Sequence, residues 1–418
     1  MKQQNHCDQS ALSETSSSRS AAREAWSFFA LWAASGASYF GSWAMQVALA
    51  ILATSLTRSP LLVSGITFAL TVPSLGFGLF VGALVDRYDR RQMLLGIALL
   101  RLLTFVLPLL AALFGSVSLP LLYGTAFVLG MTQTLEEPAL AAAVPMVVPA
   151  ALLERANTWL TGAQNLIELL ALPLGGLFAS VSSVLALGVG EGCALAACAA
   201  LLLLHGTFRP PRSSKRHLLA ELREGIRFLW HRSVLRALGL MAGVINACWG
   251  AYLALLVLYA VAPGPVGLSA PGYGLLVMCG SAGGVLGTLL MLPVQRWLGR
   301  RWAIGLNILG NAMMFAAPAL STNAWIIGGA AVLGGMTGPL WTIAAASLLG
   351  RTVSHHLQGR VNAAYRFLGN GLAAVGPLLG GVLAQLCGLR AAFALCAVLT
   401  LLMLLPFLQV VTEQAMQP

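Results

Sequence analysis

The chain has 418 residues; 58% are hydrophobic, 9% are charged, and the formal net charge is +11. An average soluble domain is about 25% charged, and a soluble surface this apolar would aggregate. The composition therefore excludes a water-soluble enzyme, a disordered protein and a disulfide scaffold. It describes an all-α membrane protein with room for about ten to twelve spans of about 20 residues each.

Residues 1–25 are polar and Ser-rich and read as a disordered tail rather than a signal peptide. Six apolar runs follow, over roughly 26–56, 60–84, 92–114, 118–147, 156–181 and 185–205, and define a first six-helix bundle over 26–205. Segment 206–233 is the longest polar interruption. Its second part places Leu219, Leu222, Ile226 and Leu229 on one helical face with basic residues opposite, the pattern of an amphipathic helix on an anionic membrane surface. Six more runs, 234–261, 271–294, 302–320, 324–349, 360–386 and 390–410, define a second bundle over 234–411, ahead of a short tail at 412–418.

Lys and Arg fall on alternate connections. The N-terminal tail holds Lys2, Arg19 and Arg23, and the second connection holds Arg87, Arg90 and Arg91; the central segment and Arg155, Arg296, Arg300, Arg301, Arg351 and Arg360 continue the set. The intervening connections hold only Arg58 and Arg390. By the positive-inside rule both termini are cytoplasmic, in a plasma (inner) membrane. The basic charge is thus a topology signal and implies no nucleic-acid partner. The seven cysteines are scattered, mostly inside apolar runs, and the six histidines avoid span centres; no spacing fits a metal site, and the two lysines follow no phosphate-binding loop, so no cofactor is expected.

The halves repeat each other. Gly130-Met131-Thr132 matches Gly335-Met336-Thr337 at a shift of 205, as do Arg155 with Arg360, Asn157 with Asn362, Asn165 with Asn370, and Gly175-Gly176 with Gly380-Gly381. Arg90-Arg91 matches Arg300-Arg301 at a shift of 210. A parallel six-plus-six duplication is the architecture of transporters that rock two bundles about a central site.

The connection after span two reads GALVDRYDRR, with Gly82, Asp86, Arg87, Arg90 and Arg91. Gly82 would allow close helix approach, Asp86 would face the positive end of another helix, and the arginines would hold the turn at the cytoplasmic leaflet. This segment resembles the G-x-x-x-D-R-x-G-R-R loop of the major facilitator superfamily, with Asp89 in place of the internal Gly. The stretches LTRSPLLVSG (56–65), LERANTWL (153–160), REGIRFLW (223–230) and GRVNAAYRFLGNGLAAVGPLLGG (359–381) extend the likeness over nearly the whole chain after residue 26. They resemble its enterobactin-exporter-like and macrolide-efflux-like branch. The resemblance implies twelve helices in two six-helix bundles and secondary active export of a small molecule, often by proton antiport. Span eleven carries a full G-P-x-x-G-G motif in Gly376, Pro377, Gly380 and Gly381; span five carries a partial one in Pro173, Gly175 and Gly176. Gln133 stands where the branch has an acid, and Glu137 and Glu191 where it has Asp.

Ionisable groups in hydrocarbon are costly, which marks Glu136, Glu137, Glu168 and Glu191 as proton-coupling candidates. Glu168 lies about 12 residues, or about 18 Å at ~1.5 Å per residue, into span five, close to the midplane. It continues a stripe of Thr161, Gln164 and Asn165. Span four offers Gln133; span one offers Ser35, Ser38, Tyr39, Ser42 and Gln46; span seven offers Asn246, Trp249 and Tyr252. These stripes are expected to line a polar cavity with aromatic walls, or else to serve as interhelical hydrogen bonds. Arg101 and Arg366 are expected as ion-pair partners for buried acids. The combined expectation is a monomeric transporter exporting a small organic molecule against protons by alternating access, with uptake or facilitated diffusion of a metabolite as the alternative.

Overall fold

The computed structural model describes residues 2–77, 80–204, 208, 218–353 and 357–410. The first half consists of α1 (Lys2–Leu56), α2 (Pro60–Phe77), the short α3 (Val81–Arg87), α4 (Arg90–Leu113), α5 (Leu119–Val147), α6 (Leu153–Val181) and α7 (Ser183–Leu202). The second consists of α8 (Leu218–His231), α9 (Ser233–Ala260), α10 (Ala270–Leu320), α11 (Ala324–Thr352), α12 (Gln358–Cys387), α13 (Leu389–Leu402) and α14 (Leu404–Val410). Among the described residues, 11 helical segments are long and apolar enough to cross a membrane. The remaining long helix, α5, has 29 residues and a polar middle at Gln133, Glu136 and Glu137, which lowers its mean hydropathy without shortening it. With α5 the spans are twelve, in two six-helix bundles.

Four of the helices start at side-chain caps. The Ser182 side chain accepts from the Leu185 amide, Ser269 from Gly272, Asn323 from Trp325, and Asp89 from Arg91 and Gln92. The fold breaks α10 into two spans at Gly299, whose φ of 77° only glycine adopts at little cost. Where a disordered tail was expected over residues 1–25, α1 runs unbroken from Lys2. The segment contains no Gly or Pro to stop a helix nucleated by the apolar run at Trp26. The C-terminal tail and the basic residues Arg209, Arg212, Lys215 and Arg216 lie outside the described residues.

In the first bundle α1 packs on α6 and α7, α2 on α5, and α4 on α5 and α7; in the second α9 packs on α12 and α13, and α10 on α11 and α13. Two large interfaces join the bundles, α2 with α12 and α6 with α10. Exchanging the halves converts one interface into the other, as a parallel repeat about an axis along the membrane normal requires.

These interfaces are tightest toward the end poor in basic residues. Arg58 Nη2 donates to the Ala262 carbonyl at 3.0 Å and Ser59 Oγ to Gln385 Oε1 at 3.0 Å. Nearer the middle, Thr71 Oγ1 meets the Ala374 carbonyl at 3.4 Å. The paired glycines divide their work. Gly175 packs on α1 within its own bundle, whereas Gly176 lies against the backbone of Ala270 in the other; Gly380 packs on Ala251, whereas Gly381 lies against Ser64 across the interface. Toward the basic end, α6 exposes Asn157, Thr161 and Asn165 and α12 exposes Asn362, Arg366 and Asn370. The bundles are joined at one end and parted at the other.

Helix α8 corrects a second expectation. Its apolar Ile226 and Leu229 pack with Leu235, Leu349, Val353, Val361 and Ala364 of its own bundle, and Glu224 pairs with Arg360 of α12 at 2.5 Å. Ile226 and Leu229 are thus covered by protein, because the ends of α11 and α12 offer them an apolar surface, and Arg223, Arg227 and Trp230 are exposed; the side chains of Leu219 and Leu222 lie outside what the structure describes.

Candidate functional site

A cavity of about 600 Å3 opens in the second bundle on the side facing the first. Its walls come from α9 (Ala242, Ile245, Asn246, Trp249), both halves of α10 (Gly280, Ser281, Gly284, Asn307, Asn311) and α11 (Gly334, Gly335, Gly338, Pro339, Trp341, Thr342). One lining residue crosses from the first bundle: Glu168 of α6, whose Oε1 accepts from Ser281 Oγ at 2.7 Å. The volume lies within the range of sites for small organic ligands.

The polar groups of the wall are already ordered among themselves. Trp249 Nε1 donates to Asn311 Oδ1 at 2.7 Å, Asn311 Nδ2 to the Asn307 carbonyl at 2.9 Å, and Asn307 Nδ2 to Thr337 Oγ1 at 3.4 Å. Trp341 Nε1 donates to the Tyr365 hydroxyl at 3.1 Å, Asn246 Nδ2 to the Gly369 carbonyl at 3.4 Å, and Thr342 Oγ1 to the Gly338 carbonyl at 3.3 Å.

The corresponding place in the first bundle holds a charge pair. Arg101 of α4, 2% exposed, reaches Glu136 of α5 at 2.7 Å. Its Nε donates to Thr132 Oγ1 at 2.8 Å and its Nη1 also meets Ser38 Oγ of α1. The repeat aligns these positions: Thr132 with Thr337 and Glu136 with Trp341 at a shift of 205, Arg101 with Asn311 at 210. One framework therefore carries an ion pair in the first bundle and neutral amides with an indole in the second.

Of the stripes expected to face a cavity, Asn246 and Trp249 do so, and Glu168 lies at its mouth. Tyr252 does not; it is buried beside Trp249, Phe315 and Phe393, at ring separations of 6.0, 5.5 and 5.8 Å, with its hydroxyl unpartnered. Ser35, Ser38 and Ser42 are buried inside the first bundle, 7%, 7% and 3% exposed, because small hydroxyls bonding their own helix suit the close packing of α1 on α6 and α7. Tyr39, Gln46, Gln133 and Gln164 are half-buried away from the described cavity wall, and Asn165 is exposed. Glu137 is exposed on α5, one residue past the paired Glu136. Glu191 is half-buried on α7 with one carboxylate oxygen buried and unpartnered. Arg366 is exposed and, among the described residues, makes no ion pair, because its face of α12 looks into the parted space between the bundles.

The basic connection also differs from its expected roles. A side chain at Gly82 would meet open space in this conformation, so no close approach is made there; the Asp86 side chain lies outside what the structure describes. Arg87 is exposed, but Arg90 is 7% exposed, with Nη1 at 3.8 Å from Met146 Sδ, and Arg91 Nη2 donates to the Leu202 carbonyl at the end of α7. Asp89 Oδ2 accepts from the Phe208 amide at 3.2 Å while the Arg90 amide donates to the Phe208 carbonyl at 3.1 Å. The residue that departs from the superfamily pattern thus ties the start of the central segment to this turn.

Ser281, Asn307, Asn311, Trp341 and Thr342 are cavity residues that sequence reasoning missed. Asn307 and Asn311 carried a signal, two amides four residues apart in an apolar run.

Two repeated six-helix bundles, joined at one end around a polar cavity to which both contribute, define a membrane transporter. A single-substitution variant of the nucleoside transporter NupG superposes with a TM-score of 0.77 at 10% identity, over 92% of this chain and 100% of that one. A bacterial homologue of the iron transporter ferroportin, in an inward-facing state, superposes at 0.68 with 17% identity, over 93% of this chain and 98% of the other; at these identities the likeness is one of fold. The multidrug efflux pump Tap of Mycolicibacterium fortuitum is 29% identical over 344 residues, 78% of this chain and 82% of its own. Residues 17–416 match the family model described as transmembrane secretion effector, and the chain belongs to that family within the major facilitator superfamily. It is a secondary transporter of small molecules in a lipid bilayer, not an enzyme.

Proposed function

We propose that this chain exports a small organic molecule across the inner membrane by alternating access, driven by proton entry, as a monomer with both termini in the cytoplasm. The observation that carries the reading is the Glu168–Ser281 contact at the cavity mouth, 2.7 Å across the bundle interface. A carboxylate at this contact would respond together to substrate binding, bundle separation and proton exchange. Export rather than uptake is supported by the 29% identity to a multidrug efflux pump. The alternation of basic connections supports the orientation, which makes the parted end cytoplasmic and this conformation open to the inside. A proton carrier must be buried in one state and reach water in another. Glu168, half-buried at the cavity mouth, suits this role, and Glu137, exposed on α5, is the second candidate.

The test is accumulation of a panel of antibiotics and dyes in expressing cells, with and without a protonophore. Lower accumulation that the protonophore reverses is the expected result. Higher accumulation on expression would reverse the direction, and extrusion indifferent to the protonophore would remove proton coupling. If the E137Q/E168Q variant still extrudes uphill with unchanged pH dependence, coupling through these acids is wrong.

A further inference from the structure

We infer that the cavity of the second bundle takes a singly charged organic cation with a flat aromatic part, its positive centre against Glu168 and its ring against the indoles of Trp249 and Trp341. The inference rests on the reading of this cavity as the transport site and names the substrate class that it selects.

Three properties of the wall lead there. Glu168 is the only ionisable side chain among the described lining residues, so the described wall carries a negative group and no positive one. An anionic ligand would meet this carboxylate with no compensating charge, at a depth where unpaired charge is expensive.

The second property is the state of the donors. The hydroxyl and indole donors of the described wall are each committed within the protein, Ser281 to Glu168 itself, Thr342 to the Gly338 carbonyl, Trp249 to Asn311 on the wall and Trp341 to Tyr365 behind it, while each Asn side-chain amide spends one of its two hydrogens. Glu168 Oε2 and the side-chain oxygens of Asn246 and Asn307 accept none of the protein hydrogen bonds described here. A wall whose charged group is an acceptor and whose hydroxyl and indole hydrogens are committed suits a ligand that brings hydrogens or positive charge. A carboxylate, phosphate or catecholate would meet only neutral amide donors there, beside the Glu168 carboxylate.

The third property is the aromatic pair. Trp249 and Trp341 line the same cavity, and their N–H edges are held by Asn311 and Tyr365, which fixes the rings. Indole faces attract cations, and by about 2 kcal/mol or more where water is excluded. The same faces accept flat apolar rings. The first bundle does not offer this environment at the equivalent position, because there Glu136 is neutralised by Arg101.

The experiment uses the full-length protein in lipid nanodiscs and two probe pairs matched in shape: berberine with its neutral reduced form dihydroberberine, and tetraphenylphosphonium with the anion tetraphenylborate. Binding is read by ligand-induced quenching of tryptophan fluorescence. Both cations are expected to bind saturably and about tenfold or more tighter than their counterparts. E168Q should weaken both cations by about the same factor and leave the counterparts within roughly twofold, while E168D keeps part of the cation preference. E168D also guards against misfolding, since it retains the charge. Binding of dihydroberberine or tetraphenylborate as tight as that of the cations overturns the inference, as does cation binding indifferent to E168Q, or no saturable binding of either cation. Extrusion assays with W249L separate this from the underlying reading, because loss of the Glu168 carboxyl would by itself stop proton-driven extrusion of any compound. If W249L extrudes every compound normally, the cavity is not the transport site. If it abolishes extrusion of neutral or anionic compounds as fully as that of cations, the site stands and the charge class is wrong.

Discussion

Removing the Arg101 guanidinium would leave Glu136 as a carboxylate without its counter-charge inside the first bundle. Breaking a buried pair on one side costs roughly 3–5 kcal/mol, whereas replacing both partners by apolar groups of similar shape is far less costly. R101M should therefore lower the thermal midpoint of the purified protein strongly, and R101M/E136L should recover most of the loss. A double variant no more stable than the single one would mean that the Ser38 and Thr132 contacts, rather than the charge pair, dominate. Asp89 has two separable jobs, capping α4 and accepting from Phe208. D89A should lose both and cost about 0.5–2 kcal/mol for the cap alone, whereas D89N keeps the capping oxygen and loses only an acceptor for Phe208. Equal midpoints for the two variants would show that the tie to Phe208 carries the stability. At this scale the sequence is a partial guide. Arg101 and Glu168 stand out because a charge in an apolar run is too costly to persist without a partner or a task. Asn307, Asn311 and the serines of α1 do not resolve, because an amide or hydroxyl in a buried helix bonds a neighbouring helix, its own backbone or a ligand equally well.

Among the elements, the paired glycines set how closely the bundles meet. A side chain at Gly175 or Gly380 would press on helices of the same bundle, while one at Gly176 or Gly381 would press on the opposite bundle. G176V and G381V should therefore leave each bundle folded and hold the bundles apart at the end poor in basic residues. Transport should fall by more than about tenfold, with the thermal midpoint shifted less than by G380V. Transport rates near wild type in G381V would remove this contact from the conformational cycle. Helix positions are legible from hydropathy because a bilayer-length apolar run has one stable outcome. The covering of α8 is not, since periodicity identifies an amphipathic face but not whether protein or membrane lies against it.

For the whole molecule, the repeat explains both the shape and its asymmetry. Equivalent helices make equivalent interfaces, yet the matched positions hold a closed ion pair in one bundle and an open, polar cavity in the other. The first bundle contributes a self-neutralised core and one acid at the boundary; the second contributes the walls. The duplication is visible in matched Arg-x-Asn and Gly-Gly placements, but the division of labour is not, since it depends on which side chains meet across helices. Alternating access requires the joined end to part once per cycle. The direct measurement is transport in proteoliposomes by S59C/Q385C in a cysteine-free background, joined by a short reducible thiol cross-linker across the Ser59–Gln385 contact. The account predicts that the cross-linked protein still binds ligand from the open side but transports nothing, and that reduction restores transport. Undiminished transport with the cross-link complete would contradict it.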